Sequence, residues 1–307
     1  RHEPNTWEYF EYKVDNKPHK FLVLDPAGGS WWNTSWNYRK QINITYSGQG
    51  NLTDYQLKLT VDTQSLISAG KMNESCKDIR FTYWNDTSEA EQKISYWIES
   101  GCNISSTIIW IKVPLIRNTT YGNETVFMYY GNPNVEDESN ANNVFIYYDD
   151  FNSYEGWNGD TTEFTNVSLD GESVLEVVPG ASGYPGWIYK SIGTSLNQYI
   201  VEVLMRDESD ASNEPHPGVI IAGPDGNNWN GIYFRAGSDQ VVGSTTTGGS
   251  NSFGSPADSY TIDGTKWYLV QAYIKGGNVQ WLKVNGTQLN AFNNWDCLLY
   301  TSPSPRD

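Results

Sequence analysis

The chain has 307 residues, enough for about two domains of roughly 150 residues each. It carries 13 Trp, 21 Tyr and 30 Asn, and 20 basic against 36 acidic side chains give a net charge of −16. Such aromatic content excludes a disordered chain, the acidity excludes a nucleic-acid binder that neutralises phosphates, and 3 Cys with 3 His are too few for zinc chemistry. Abundant Thr, Val, Tyr and Trp with little Ala and Leu point to an all-β protein.

The sequence opens at Arg1 without Met and reads as a piece of a longer protein. Residues 1–30 read as the end of a preceding unit plus a linker. Strand-like runs at 10–14 and 20–24 flank the turn Asp15-Asn16-Lys17-Pro18, and Asp25 to Ser30 form the linker. An edge hairpin of the next domain is the other reading of this segment.

A first β domain is expected over residues 31–135. Alternating runs at 39–46, 56–61, 79–84, 94–99, 107–113 and 125–130 are separated by turn residues, the pattern of a β-sandwich. A short helix is predicted over 63–69, ended by Gly70. The most apolar window, 108–116, contains Lys112 and Pro114 and is too short to span a bilayer.

Polar, Asn-rich residues 136–144 read as a linker, and a second β domain is expected over 145–296. It is predicted to open with a strand at 145–151. Further strands are predicted at 174–178, 187–191, 199–205, 218–222, 231–235, 267–273 and 279–284. Trp97, Trp110, Trp267 and Trp281 alternate within strands and are expected in the cores. Residues 1–141 hold 13 basic and 17 acidic side chains, whereas 142–296 hold 6 and 18, so the acidity belongs to the second domain.

Several spaced motifs carry a resemblance. Trp36-Asn37-Tyr38-Arg39-Lys40, Leu52-Thr53-Asp54-Tyr55-Gln56, Asp78-Ile79-Arg80-Phe81, Tyr96-Trp97-Ile98-Glu99 and Tyr129-Tyr130-Gly131-Asn132-Pro133 resemble the domain of unknown function 2341 over about residues 35–135. That family is similar to concanavalin A-like sandwiches of large surface proteins, and it supplies no catalytic residue. In the second domain, Asp149-Asp150-Phe151, Gly186 to Lys190, Trp267-Tyr268 and Val284-Asn285-Gly286 resemble the lectin/glucanase (LamG-like) jelly roll. The resemblance implies two tandem concanavalin A-like antiparallel β-sandwiches. Val-Asn-Gly is also a type I′ hairpin signal in its own right.

Residues 297–307, Cys297 to Asp307, look like a translated sequencing adapter and are expected to be an artefact, leaving the second domain truncated near Asp296. Without Cys297 the cysteines number two, Cys76 and Cys102, and they are expected to pair as a disulfide. Ten Asn-x-Ser/Thr sequons, at Asn33, Asn43, Asn51, Asn73, Asn85, Asn103, Asn118, Asn123, Asn166 and Asn285, exceed the roughly five expected by chance. Together these features favour an extracellular or cell-surface setting.

Catalytic signals are weak. Glycosidases of the glucanase branch need carboxylates spaced Glu-x-Asp-x-x-Glu on one strand face. Here Glu202 stands alone, and Asp207-Glu208 with Asp210 fall in a loop. His216, between Pro215 and Pro217, reads as an exposed loop histidine. No catalytic residue is assigned, and the chain is read as non-enzymatic.

Structural calcium is expected at Asp149 and Asp150, with Asp207, Asp210 and Asn213 as a second set. Sugar recognition needs aromatic rings for pyranose faces and amides for hydroxyls. Trp229 with Asn227 and Asn228 is the first choice, joined by Tyr184 and Trp157; the competing reading has these rings capping the sandwich ends. The expected function is glycan binding or adhesion, with glycans or neighbouring surface proteins as partners. A structural spacer, or an accessory part of a glycoside hydrolase, is the alternative.

Overall fold

The computed structural model describes residues 11–14, 17–20, 31–99, 101–118, 124–153, 155–177, 187–207 and 216–296. The adapter-like tail, Tyr184 and Asn123 lie outside them. The chain is almost entirely β and divides into two units, Arg1–Tyr148 and Asp149–Asp307.

In the first unit, β1 (Glu11–Val14) and β2 (Lys17–Lys20) pair as a hairpin, so Lys17 and Pro18, expected in the turn, stand in a strand, while 21–24 of the expected second run lie outside the described residues. The sandwich is built from β3 (Tyr38–Ile44), β4 (Leu52–Val61), β5 (Arg80–Asn85), β6 (Ala90–Ile94), β7 (Tyr96–Ile98), β8 (Thr107–Ile116) and β9 (Glu124–Tyr130). One antiparallel sheet runs β3-β9-β5-β6 and the other β4-β8-β7. The run 94–99 therefore splits: Ile94 ends a strand of one sheet, and Tyr96 begins a strand of the other.

Between the sheets lies a single apolar core. Ile42, Ile44, Phe81, Tyr83, Val126 and Met128 face it from one sheet, and Leu57, Leu59, Val61, Ile109, Ile111 and Val113 from the other. Helix α1 (Thr63–Ser68) closes one end with Leu66. Asp62 caps it by accepting from Ser65 N at 2.9 Å, and Gly70 beyond it takes φ +67°. Cys76 and Cys102 form a disulfide, which anchors the loop before β8 to the loop before β5.

The outer face of the first sheet is also covered. Residues 136–144, expected as a linker, are held against the sandwich: Glu136 and Glu138 meet Arg80, Ser139 and Asn140 hydrogen-bond to β7, and the segment ends in the single turn α2 (Ala141–Val144), packed on β7 and β8. The fastener is Arg80, 3% exposed. Its Nη1 donates to Lys77 O at 2.9 Å and Ile79 O at 2.6 Å, and its Nη2 to Glu136 O at 2.6 Å. Its Nε pairs with Glu138 at 3.2 Å, and Trp36 covers the guanidinium at 5.7 Å. Asp78, 1% exposed, accepts from Asn73 N and, at 2.8 Å, from Gly131 N. Gly131 has φ +87°, and a Cβ there would sit 2.6 Å from the Tyr38 ring, so the position requires glycine.

Beside this lies a second buried pair. Arg39 Nη1 and Glu91 Oε1 are 2.7 Å apart with side chains 9% and 3% exposed. Thr82 and Tyr129 donate to Glu91 Oε2 at 2.6 and 2.7 Å, and the rings of Phe127 and Trp31 flank Arg39.

The other sheet's outer face carries Trp97 and Trp110, paired across β7 and β8. They are half-buried under Phe145 and Tyr148 rather than in the core. For that reason residues 145–148 belong to the first unit, and the predicted opening strand at 145–151 does not form.

In the second unit, short pairs β10 (Asn158–Gly159) with β13 (Ile188–Tyr189) and β11 (Phe164–Leu169) with β12 (Glu172–Val177) accompany two larger sheets. One is the meander β15 (Gly218–Asp225), β16 (Asn228–Arg235), β17 (Gln240–Thr247) and β18 (Ser250–Ser259). The other joins β14 (Gln198–Met205), β19 (Tyr268–Lys275), β20 (Asn278–Val284) and β21 (Thr287–Leu289), with β22 (Trp295–Asp296) on β20. Ile221, Ile232, Phe234 and Val241 meet Val270, Ala272, Ile274, Leu282 and Val284 in its core. The Asn285-Gly286 turn has φ 47° and 80°, as the hairpin signal required. Trp281 and Tyr273 stack on the outer face at 5.6 Å, and Trp267 donates Nε1 to Asp170, so neither tryptophan is a core residue.

Two outcomes follow for the first unit. Replacing Asp78 by Ala leaves the amides of Asn73 and Gly131 without their acceptor and is expected to cost about 3 kcal/mol in denaturant unfolding; a loss near zero would contradict this role. Burial, reinforced by Glu124, pushes the Tyr83 phenol up to about 12, and burial beside Tyr38 does the same for Tyr130. Because the folded values exceed the ordinary phenol value of about 10, the stability is fully present below pH ~10 and is lost as pH rises through about 12. Phenolate absorbance should show a late-titrating group that shrinks in Tyr83→Phe and Tyr130→Phe, whereas complete titration near pH 10 with the fold intact would refute it.

Candidate ligand-binding face

The sequence-predicted sugar-binding residues of the second unit do not form a surface loop. The turn after β15 is tied down by its own polar groups: Asp225 accepts from Asn227 N at 2.8 Å and Asn228 Nδ2 at 3.0 Å, and Asn228 Oδ1 accepts from Gly248 N at 3.0 Å. The Asn227 amide and the Asn228 side chain hold the Asp225 carboxyl below its usual range. Asn228 therefore braces a hairpin, while Asn227 is exposed at its tip. Trp229 is not in the turn but on β16, and it is 7% exposed.

Strand alternation turns Trp229, Gly231, Tyr233 and Arg235 to the face of the meander sheet opposite the core. The ring of Trp229 lies over Gly231, whose Cβ would come within 3.1 Å of it. Trp187 packs on Trp229 at 5.5 Å between centroids and donates Nε1 to Gly226 O at 3.2 Å. The β16–β17–β18 register sets Thr246 and Asn251 beside Trp229, Ser244 and Phe253 beside Gly231, and Val242 beside Tyr233. His216 stacks on Tyr233 at 5.9 Å, and Phe253, 57% exposed, meets the same ring edge-on at 6.0 Å.

Polar satisfaction sets this face apart. Trp229 Nε1, Ser244 Oγ and His216 Nδ1 are buried without a hydrogen-bond partner, and all three belong to it. Buried polar groups are rarely left so. His216, expected as an exposed loop residue, has a side chain only 14% exposed and stands 3.7 Å from the buried Asp207 carboxylate. Asp207 Oδ2 also accepts from Ala236 N at 3.1 Å. Spacing alone could not have revealed Ser244 or Phe253, because β17 and β18 are rich in Ser, Thr and Gly and read as loop; the sequence singles out Asp207 only as a calcium ligand.

Other predicted residues lie apart from this face. Trp157 packs on Phe151 at 6.1 Å, with its Nε1 buried and unpartnered. Asp149 accepts from Phe151 N at 2.8 Å, and Asp150 from Asn152 N at 3.2 Å and Nδ2 at 2.7 Å. These carboxylates hold the left-handed turn at Phe151, φ 53°. Among the described residues no group of three His, Cys, Asp or Glu is placed to hold a metal. Asp210 and Asn213 of the second set lie outside the described residues.

Of the sequons, Asn51, Asn103 and Asn285 are exposed, while Asn33, Asn43, Asn73, Asn85, Asn118 and Asn166 are half-buried. Nδ2 of Asn85, Asn118 and Asn166 donates within the fold, to Gln92, Gly48 O and Phe151 O. A cavity of about 470 Å³ lies between Ser47–Asn51 and Arg117–Asn118 of the first unit. Its charged group, Arg117, is already held by Glu124 and Asp86 at 2.5 Å each, so the cavity is a poorer candidate than the aromatic face.

Residues 75–163 match DUF2341. This is a domain of unknown function, and the matched span begins within the first unit and runs 15 residues past Tyr148. An uncharacterized protein of Methanocaldococcus jannaschii is 22% identical over 152 residues, covering 48% of this chain and 27% of that protein. The match thus spans about a quarter of the relative's length. No solved structure matches the chain. The DUF2341 motifs coincide with the buried network around Asp78, Arg80, Tyr96, Tyr129 and Gly131, whose polar groups are engaged with one another.

Because Asp149 and Asp150 serve their own turn, the melting temperature is expected to be the same in EDTA as in excess calcium. A calcium-dependent rise in differential scanning calorimetry would overturn that reading.

Proposed function

We propose that the chain is a non-catalytic module of a secreted or cell-surface protein that binds glycan on the outer face of the β15–β18 sheet. A LamG-like, lectin-type sandwich is the reading of the second unit that fits its two facing sheets. The observation that carries the proposal is the set of buried, unpartnered polar atoms beside Trp187, Trp229, Tyr233 and Phe253. Sugars supply hydroxyls that both donate and accept, and their C–H faces stack on aromatic rings. An apolar ligand would leave Trp229 Nε1 and Ser244 Oγ unmatched.

For the DUF2341 segment, a spacer role is favoured. Its motif side chains are used internally: Arg80 and Asp78 brace loops, and Glu91 binds Arg39, Thr82 and Tyr129. A rigid brace of this kind suits a unit that holds its neighbour at a distance.

Phe253 separates binding from folding, because its ring is 57% exposed. On a glycan array, the full chain is expected to retain at least one polysaccharide class, and Phe253→Ala to weaken it about tenfold with an unchanged melting temperature. Trp229→Ala should abolish binding and also lower stability, since the ring is buried. Retention of no glycan would refute the proposal.

A further inference from the structure

Arg235 closes β16 at one end of the same face. Its guanidinium lies over the Tyr233 ring at 5.5 Å, and Nη2 donates to Tyr233 Oη at 2.9 Å. Among the described residues no carboxylate stands within ion-pair distance of it. That is unexpected where residues 142–296 hold 18 acidic side chains against 6 basic. Elsewhere in the unit Arg206 is paired with Asp170 at 3.3 Å and Lys266 with Asp263 at 2.9 Å.

The buried Asp207 carboxylate accepts from Ala236 N and stands 3.7 Å from His216 Nδ1. Arg235 thus keeps a permanent charge and most of its five N–H donors directed to no anion among the described residues. A second observation stands beside it. Ser244 is 3% exposed with its Oγ unpartnered, and its neighbour across β18 is the exposed ring of Phe253.

We propose that Arg235, Tyr233 and Phe253 form a subsite for a carboxylate-bearing sugar, the uronate unit of an acidic glycan. This rests on the glycan-binding reading above. Phe253 supplies the stacking ring, and Arg235 a planar fork that engages a carboxylate through two parallel hydrogen bonds. Tyr233 orients that fork by accepting a hydrogen bond from Nη2 and holding the guanidinium against its ring. The acidic surroundings oppose an anionic ligand at long range, but at physiological salt such repulsion is screened beyond about 8 Å. A direct pair with Arg235 acts well inside that distance.

The test measures binding of the full chain to polygalacturonate, to the same polymer fully methyl-esterified, and to dextran sulfate, at physiological ionic strength. Polygalacturonate is expected to bind at least about tenfold tighter than the ester, the scale of one charge-assisted hydrogen-bond pair. Arg235→Gln should remove that preference without changing affinity for the ester, and Arg235→Lys should restore only part of it. Dextran sulfate should bind more weakly than polygalacturonate; equal or tighter binding would replace the carboxylate subsite by a general anion site. Equal binding of acid and ester by the wild-type chain overturns the subsite even if Arg235→Gln fails to fold, and leaves the glycan reading standing. Failure to bind these polymers or any glycan on the array removes both.

Discussion

A buried guanidinium cannot lose its charge, so every part of the chain near it must supply an acceptor. Arg80 imposes this on the first unit. At 3% exposure it takes two carbonyls from its own strand entry and one from Glu136, with Glu138 as counter-charge. The polar segment after β9 is therefore drawn in to Arg80 before it passes along β7, and Trp36 lies over the guanidinium. Asp78 does the complementary work for backbone amides by receiving Gly131 N where only glycine can turn. The same surface holds the Arg39–Glu91 pair beneath Trp31 and Trp32, so the sandwich has a polar, desolvated layer outside its apolar core.

The second unit handles its outer surface differently. Its meander sheet also carries rings and polar groups away from the core, but these do not complete one another. Trp229 Nε1, Ser244 Oγ and His216 Nδ1 remain without partners, and Arg235 has a tyrosine rather than a carboxylate beside it. In the first unit the buried Arg80, Asp78, Arg39 and Glu91 side chains are engaged with internal partners, and Gln41 Oε1 is left without one. Here the satisfaction is incomplete, which is why the face is assigned to a ligand and the DUF2341 motifs to architecture.

Local features were legible residue by residue. The stop at Gly70, the Asn285-Gly286 turn and the alternation of Leu57, Leu59 and Val61 each depend on neighbours within a few positions. Strands β17 and β18 were not legible. Their Ser, Thr and Gly content lacks an apolar stripe, and they form by hydrogen-bonding to β16 and then to each other. The segment 136–148 failed for the opposite reason: it looks polar and free, yet its acceptors and rings are claimed by Arg80, Trp97 and Trp110.

From sequence alone came the all-β class, the two-part division, the pairing of Cys76 with Cys102 and the concentration of acidity in the second half. Alternation states that a strand has two faces, but not which is covered or by what. Trp97, Trp110 and Trp281 therefore proved to be outer-face rings and Trp229 a buried one, and Asp149 and Asp150 proved to be turn caps. Burial and polar satisfaction depend on residues tens of positions apart meeting in space. Only the tertiary structure could bring Arg235, Tyr233, Ser244 and Phe253 onto one face.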